Sequence, residues 1–193
     1  MLVEVNRNVF VRDEYPIDGF PTRKESTWTC WHYSLKAVIE AKTHIKKWVR
    51  EYSWWKWSYH TWFMTPRSVG WVLKKHWISY KFFKIFFLTP RKKIELMKKR
   101  LIYWPILIFI ANWLVKDKRF SRKKALTHRH YITIWGYDDN NWTFFVYDSS
   151  CVRPMGWLPI WNIKIPYKYI IKERNLWFYK FFSNRWISVI YDD

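Results

Sequence analysis

Thr127-His128-Arg129-His130-Tyr131-Ile132-Thr133-Ile134-Trp135-Gly136-Tyr137-Asp138 runs through Asp139-Asn140-Asn141-Trp142 into Thr143-Phe144-Phe145-Val146-Tyr147-Asp148-Ser149. The two outer segments are short runs rich in β-branched and aromatic residues, the composition of strands, and the polar residues between them read as a turn. Folded back on that turn, the strands are antiparallel neighbours. His130 lies ten residues before Asn140 and Asp148 eight after it, so the two stand roughly opposite each other across the hairpin. A histidine beside a carboxylate is the contact that orients a catalytic imidazole.

Upstream of the hairpin the pattern is helical. Ser26, Thr27 and Thr29 are N-cap candidates for a helix from Cys30 to Lys47, with Leu35, Val38 and Ile39 at amphipathic spacing. Thr65-Pro66 opens a second helix that runs to His76 with Val69, Val72 and Leu73 inward, and Thr89-Pro90 opens a third, to Arg100, with Ile94, Met97 and Leu101 on one face. Residues 51–62 read as a loop, Ile78 to Leu88 as strand-rich, and Lys116 to Thr127 as a basic loop. Ile106 to Ala111, His130 to Tyr137, Thr143 to Asp148 and Trp186 to Tyr191 complete the β-runs. Helices first and antiparallel strands after predict an α+β fold, with N-terminal helices packed on an antiparallel sheet.

Three segments carry chemistry. Cys30 sits at a helix start, where the dipole and free N–H groups stabilise a thiolate and can hold an oxyanion. A cysteine on a helix is more often a small buried hydrophobe, so Cys30 gains meaning only beside His130 and Asp148. His128 competes with His130, having the same parity. His130 is preferred because Tyr131 and the strand follow it. His32 reads as a helix-face residue. His44, His60 and His76 show no metal-ligand spacing with the two cysteines, and neither a zinc site nor a cofactor is expected.

Cys at a helix start, then His-aromatic-apolar-Gly-Tyr-Asp, then an apolar strand ending in Asp-Ser, resembles the papain-like clan of cysteine peptidases. The resemblance is closest to the family-39 cysteine peptidases, the bacteriocin-processing domains and their stand-alone bacterial relatives. It covers roughly residues 21–150, inside a single domain expected to span 1–193. Thr65 to Leu73, His76-Trp77-Ile78 with Tyr80, and Tyr103-Trp104-Pro105-Ile106 are similar to that family's second helix, its helix-to-strand turn and its Gly-Pro-apolar strand. The resemblance implies a Cys30–His130–Asp148 triad that hydrolyses peptide bonds, with a peptide or protein as substrate. One position departs from the pattern. The family carries an oxyanion-donating Gln six residues before the nucleophile, whereas this chain has Lys24, whose ammonium is the candidate donor. The rival reading is a catalytically weak binding module of the same fold, for peptides or anionic partners.

The composition holds an anomaly. Seventeen Trp accompany four Gly, where a chain of this length normally carries roughly 13 Gly. The tryptophans stand where turns want glycine: the Trp54-Trp55-Lys56-Trp57 loop, Trp77 between a helix and a strand, and Asn141-Trp142 in the hairpin turn. Trp31 directly follows Cys30, where the family-39 pattern has Gly, although Cys-Trp also echoes papain itself. Some bacterial lineages decode UGA as glycine. That reading makes many of these residues recoded glycines, Trp31, Trp55, Trp77, Trp104 and Trp142 foremost.

The remaining bulk features bound the function. The net charge is +20, from 35 Lys and Arg against 15 Asp and Glu. The basic residues are scattered, so they read as solvated faces, with an anionic partner through the basic loops as the functional option. Nucleic-acid binding ranks last of the three readings. Leu101 to Val115, the longest apolar candidate, is fifteen residues long and contains Pro105 and Asn112, which argues against a membrane span. Residues 1–20 lack an apolar signal core and a cleavage site, and two cysteines are too few for a disulfide framework, so a reduced, cytoplasmic protein is expected, with Cys30 and Cys151 unpaired.

Overall fold

The structure is a computed structural model, and it describes residues 8–11, 30–43, 45, 49–52, 66–85, 88–103, 105–110, 130–149, 163–171 and 186–191. Its elements in chain order are β1 (Val9–Val11), α1 (Cys30–Thr43), a 3₁₀ turn (Val49–Tyr52), α2 (Pro66–Lys75), β2 (Ser79–Lys84), α3 (Pro90–Leu101), β3 (Ile106–Ile110), β4 (His130–Asp138), β5 (Thr143–Tyr147), β6 (Ile163–Pro166), α4 (Tyr167–Ile171) and β7 (Trp186–Tyr191). The α+β class and the antiparallel sheet expected from the sequence are present. The strands form one seven-stranded sheet in the order β2-β7-β3-β4-β5-β6, with β1 also pairing β4, and every described pair is antiparallel.

Strand alternation divides the core between the two faces of this sheet. Leu107, Tyr131, Trp135 and Tyr147 face one way and pack with α1, α2 and Tyr52. Ile106, Ile108, Ile132, Ile134, Phe144 and Val146 face the other way and pack with α3 and α4. The helices therefore cover both faces: α1 and α2 lie on one and α3 on the other. α3 is amphipathic, with Met97 and Leu101 buried and Ile94 partly so. Its start is fixed by Pro90 in the first turn and by Thr89, whose hydroxyl accepts the Lys92 N–H.

α1 is buried on nearly every side, from Cys30 through Ala41 with only Tyr33 partly exposed, which is the pattern of a core helix. Its polar residues are matched inside. Lys36 is paired with Glu40, and Glu40 also accepts a 2.8 Å bond from the Tyr52 hydroxyl, which ties the 3₁₀ turn to the helix. The helix stops at Thr43, four residues short of the expected Lys47. There the Thr43 hydroxyl donates to the Ile39 carbonyl at 2.8 Å and accepts from the Ile45 N–H, a local alternative to further helical turns.

The β4–β5 turn is secured from several directions. The Asp138 carboxylate accepts from the Asn141 N–H and side-chain amide at 3.1 and 2.8 Å, and these bonds, the side-chain one foremost, hold its carboxyl below the ordinary range. Asp139 accepts from the Tyr167 hydroxyl at 2.7 Å and pairs with Lys98, joining α4 and α3 to the turn. The sequence had offered no sign of β1, the 3₁₀ turn, β6 or α4. The expected N-cap residues 26, 27 and 29 and the basic loop 116–127 lie outside the described residues.

Candidate active site

Cys30 is the first residue of α1, as the cap signals before it implied, and its thiol is unpaired and buried among the α1-side core residues. The first turns of α1 dock on the start of β4. Ser34, one turn along from Cys30, donates its hydroxyl to the Tyr131 carbonyl at 3.0 Å, and the Thr133 hydroxyl donates to the Ser34 carbonyl at 3.4 Å. Tyr131 belongs to the same packed cluster as Cys30. Burial, and secondarily its electrostatic interaction with Cys30, push its phenol far above the ordinary range, so it stays neutral.

His130 immediately precedes Tyr131. It is the first residue of β4, opposite Ile110 of β3, and its side chain lies outside the described residues. Asp148 follows the last residue of β5 and has no exposed surface. A buried carboxylate requires hydrogen-bond donors or a cation. Between Ile134 and Gly136 the β4–β5 register shifts by one residue, making Trp135 the bulge. An unbroken ladder from Asp138↔Thr143 would carry Asp148 opposite Thr133. The bulge makes Thr133↔Tyr147 the last pair instead, so Asp148 comes opposite Ile132, one residue nearer His130. The hairpin thus brings the His130 and Asp148 positions within two residues across neighbouring strands, with Cys30 and Ser34 of α1 beside Tyr131.

Lys24, His128 and Cys151 lie outside the described residues. His32, read as a helix-face residue, is fully buried, and burial pulls its pKa down to about 3. It remains a neutral imidazole at neutral pH. Ser34 and Thr133 belong to no motif in the sequence. Their only signal is polarity on faces that are otherwise apolar: a Ser four residues past Cys30 and a Thr inside a β-branched strand.

A separate cleft of about 460 Å³ is lined by Ile39, Lys42, Thr43, Tyr52, Lys75 and His76 among others. It sits at the C-terminal end of α1, about 20 Å from Cys30 at the usual rise per residue, and so is not part of this site. Among the described residues no helix is long and apolar enough to cross a membrane. Compared with family models, with curated proteins and with solved structures, the chain matches none.

Proposed function

We propose that the chain is a papain-like cysteine peptidase that hydrolyses peptide bonds through Cys30, His130 and Asp148, in the manner of the leader-peptide-processing enzymes. The observation that carries this reading is the docking of the Cys30 end of α1 on the His130 end of β4, through Ser34 and the Tyr131 carbonyl, with Asp148 buried at the adjoining end of β5.

In this mechanism the Cys30 sulfur attacks the scissile carbonyl. His130 takes the thiol proton and later gives it to the leaving amine, so that the first peptide fragment departs and an acyl-enzyme remains. Water, deprotonated by His130, then releases the acid fragment. Asp148 fixes the imidazole tautomer and acts by orientation. N–H groups at the start of α1 hold the oxyanion, with Lys24 as a further donor. An amine in place of water would give acyl transfer by the same steps.

Lys24 in place of the usual Gln favours the second reading, a peptidase fold that binds peptides or anionic partners with little turnover. Incubation with a mixture of unlabelled peptides, read by mass spectrometry, separates the two. New fragments formed by the parent chain and absent with Cys30→Ser establish the peptidase. Peptide retention without fragments establishes the binding module.

A further inference from the structure

Among the described residues, two non-glycine positions have left-handed backbone, Trp77 at φ 58° and Trp142 at φ 53°. Both are tryptophan. Asn and Asp tolerate that region best, whereas a bulky side chain there is an outlier. Trp77 closes α2 in a full Schellman arrangement. The Ile78 N–H bonds the Leu73 carbonyl at 3.1 Å, and the Trp77 N–H bonds the Lys74 carbonyl at 3.0 Å. Ile78 and Leu73 are both buried in one core cluster, the contact that accompanies this motif. The left-handed residue in such a cap is usually glycine. Trp142 ends the four-residue loop between the Asp138↔Thr143 pair, closed by the Trp142 N–H on the Asp139 carbonyl. Neither indole is packed away: Trp77 is 94% and Trp142 67% exposed.

Two further tryptophans fail in the opposite way. The indoles of Trp31 and Trp135 are buried, and among the described residues their ring N–H groups have no hydrogen-bond partner, although buried indoles normally find one. The Trp31 ring centroid lies 3.2 Å from that of His32, closer than the 4.5–7 Å typical of aromatic pairs. Trp135 is the bulge residue of β4, a place where glycine is common.

We infer that positions 77 and 142, and with them 31 and 135, carry glycine in the protein as its host makes it, the codon being UGA read as glycine. Exposed indoles at left-handed positions, and buried indoles without partners among the described residues, are the two failures expected when a large side chain is written over glycine. Where Cys30 is the nucleophile of the proposed reaction, glycine at 31 leaves the first turn of α1 open to a peptide carbonyl. The inference itself rests on the backbone and on the unpartnered indoles, and it stands whether or not the chain is a peptidase.

Fragment mass spectrometry of the protein purified from its host tests it. Peptides spanning 77, 142, 31 and 135 should each be lighter by about 129 Da per site, the mass of the side chain that glycine lacks. Tryptophan masses at 77 and 142 would overturn it. In the recombinant chain, Trp77→Gly and Trp142→Gly should each melt higher than the matching Trp→Ala variant, by roughly 2–4 °C, because alanine also removes the indole but keeps the left-handed penalty. An alanine variant as stable as its glycine counterpart would show that the backbone does not require glycine there.

Discussion

Lowering the pH should destabilise the recombinant chain, with tryptophan at position 31, through one residue near the candidate nucleophile. His32 has no exposed surface, and burial lowers its pKa from 6.5 to about 3. In the unfolded chain it titrates at its ordinary value, so below about pH 6.5 the unfolded state binds more protons and stability falls as pH falls. The loss proceeds at about 1.36 kcal/mol per pH unit once the unfolded imidazole is protonated, and it levels off below the folded value. From pH 7 to pH 5 it amounts to about 2 kcal/mol, or roughly 4–8 °C in melting temperature for a chain of this size. Asp138, whose carboxyl is held low by Asn141, loses its contribution only below the ordinary carboxylate range, outside this window. The assay is urea unfolding at pH 7, 6 and 5 for the parent chain and for His32→Gln, which does not titrate. The difference in stability between the two should shift by about 2 kcal/mol across the series. Parallel pH profiles would refute the reasoning. Trp31→Gly removes the ring stacked on His32, so it should flatten the parent profile as water reaches the imidazole.

Gly70 of α2 faces Tyr80, and a Cβ there would meet the phenol carbons at 2.5–2.7 Å. Gly70→Ala should therefore cost about 1–3 kcal/mol from overpacking, less up to about 1 kcal/mol of helix propensity, and Tyr80→Leu should recover part of the loss in thermal melts. Lys36→Met removes the ammonium paired with the buried Glu40 carboxylate and should cost about 3–5 kcal/mol. The double variant Lys36→Met/Glu40→Leu should be markedly more stable by chemical denaturation. Thr89→Ala removes the α3 cap and should cost about 1 kcal/mol, visible as earlier amide exchange in residues 91–93.

Much of the site-bearing framework was legible in the sequence because its signals are local. Thr-Pro fixed the starts of α2 and α3, and the Asp-Asp-Asn-Asn turn fixed the β4–β5 hairpin. The elements that escaped are held by distant partners. β1 is three residues long and depends on β4, and β6 and the five-residue α4 depend on β5 and Asp139. The bulge at Trp135 was hidden because a tryptophan in a β-branched run signals an unbroken strand. α1 ends before its sequence pattern does because the Thr43 back-bond to Ile39 competes with helix extension, whereas the lysines beyond it read as good helix formers. For the candidate site, the order Cys30, His130, Asp148 could be read directly. The hydroxyl bonds of Ser34 and Thr133 that dock α1 on β4 could not, since isolated hydroxyl residues carry no pattern.

The central claim is that Cys30 is a nucleophile activated by His130. Its most direct test is the rate at which a small haloacetamide probe alkylates Cys30 at pH 7, followed by peptide mass spectrometry so that Cys151 is counted separately. The account predicts fast labelling of Cys30 in the parent chain, slowed at least roughly tenfold in folded His130→Ala as thiolate is lost and slowed less in Asp148→Asn, where only orientation fails. Labelling of Cys30 that is slow in the parent chain, or unchanged in a folded His130→Ala variant, would contradict it.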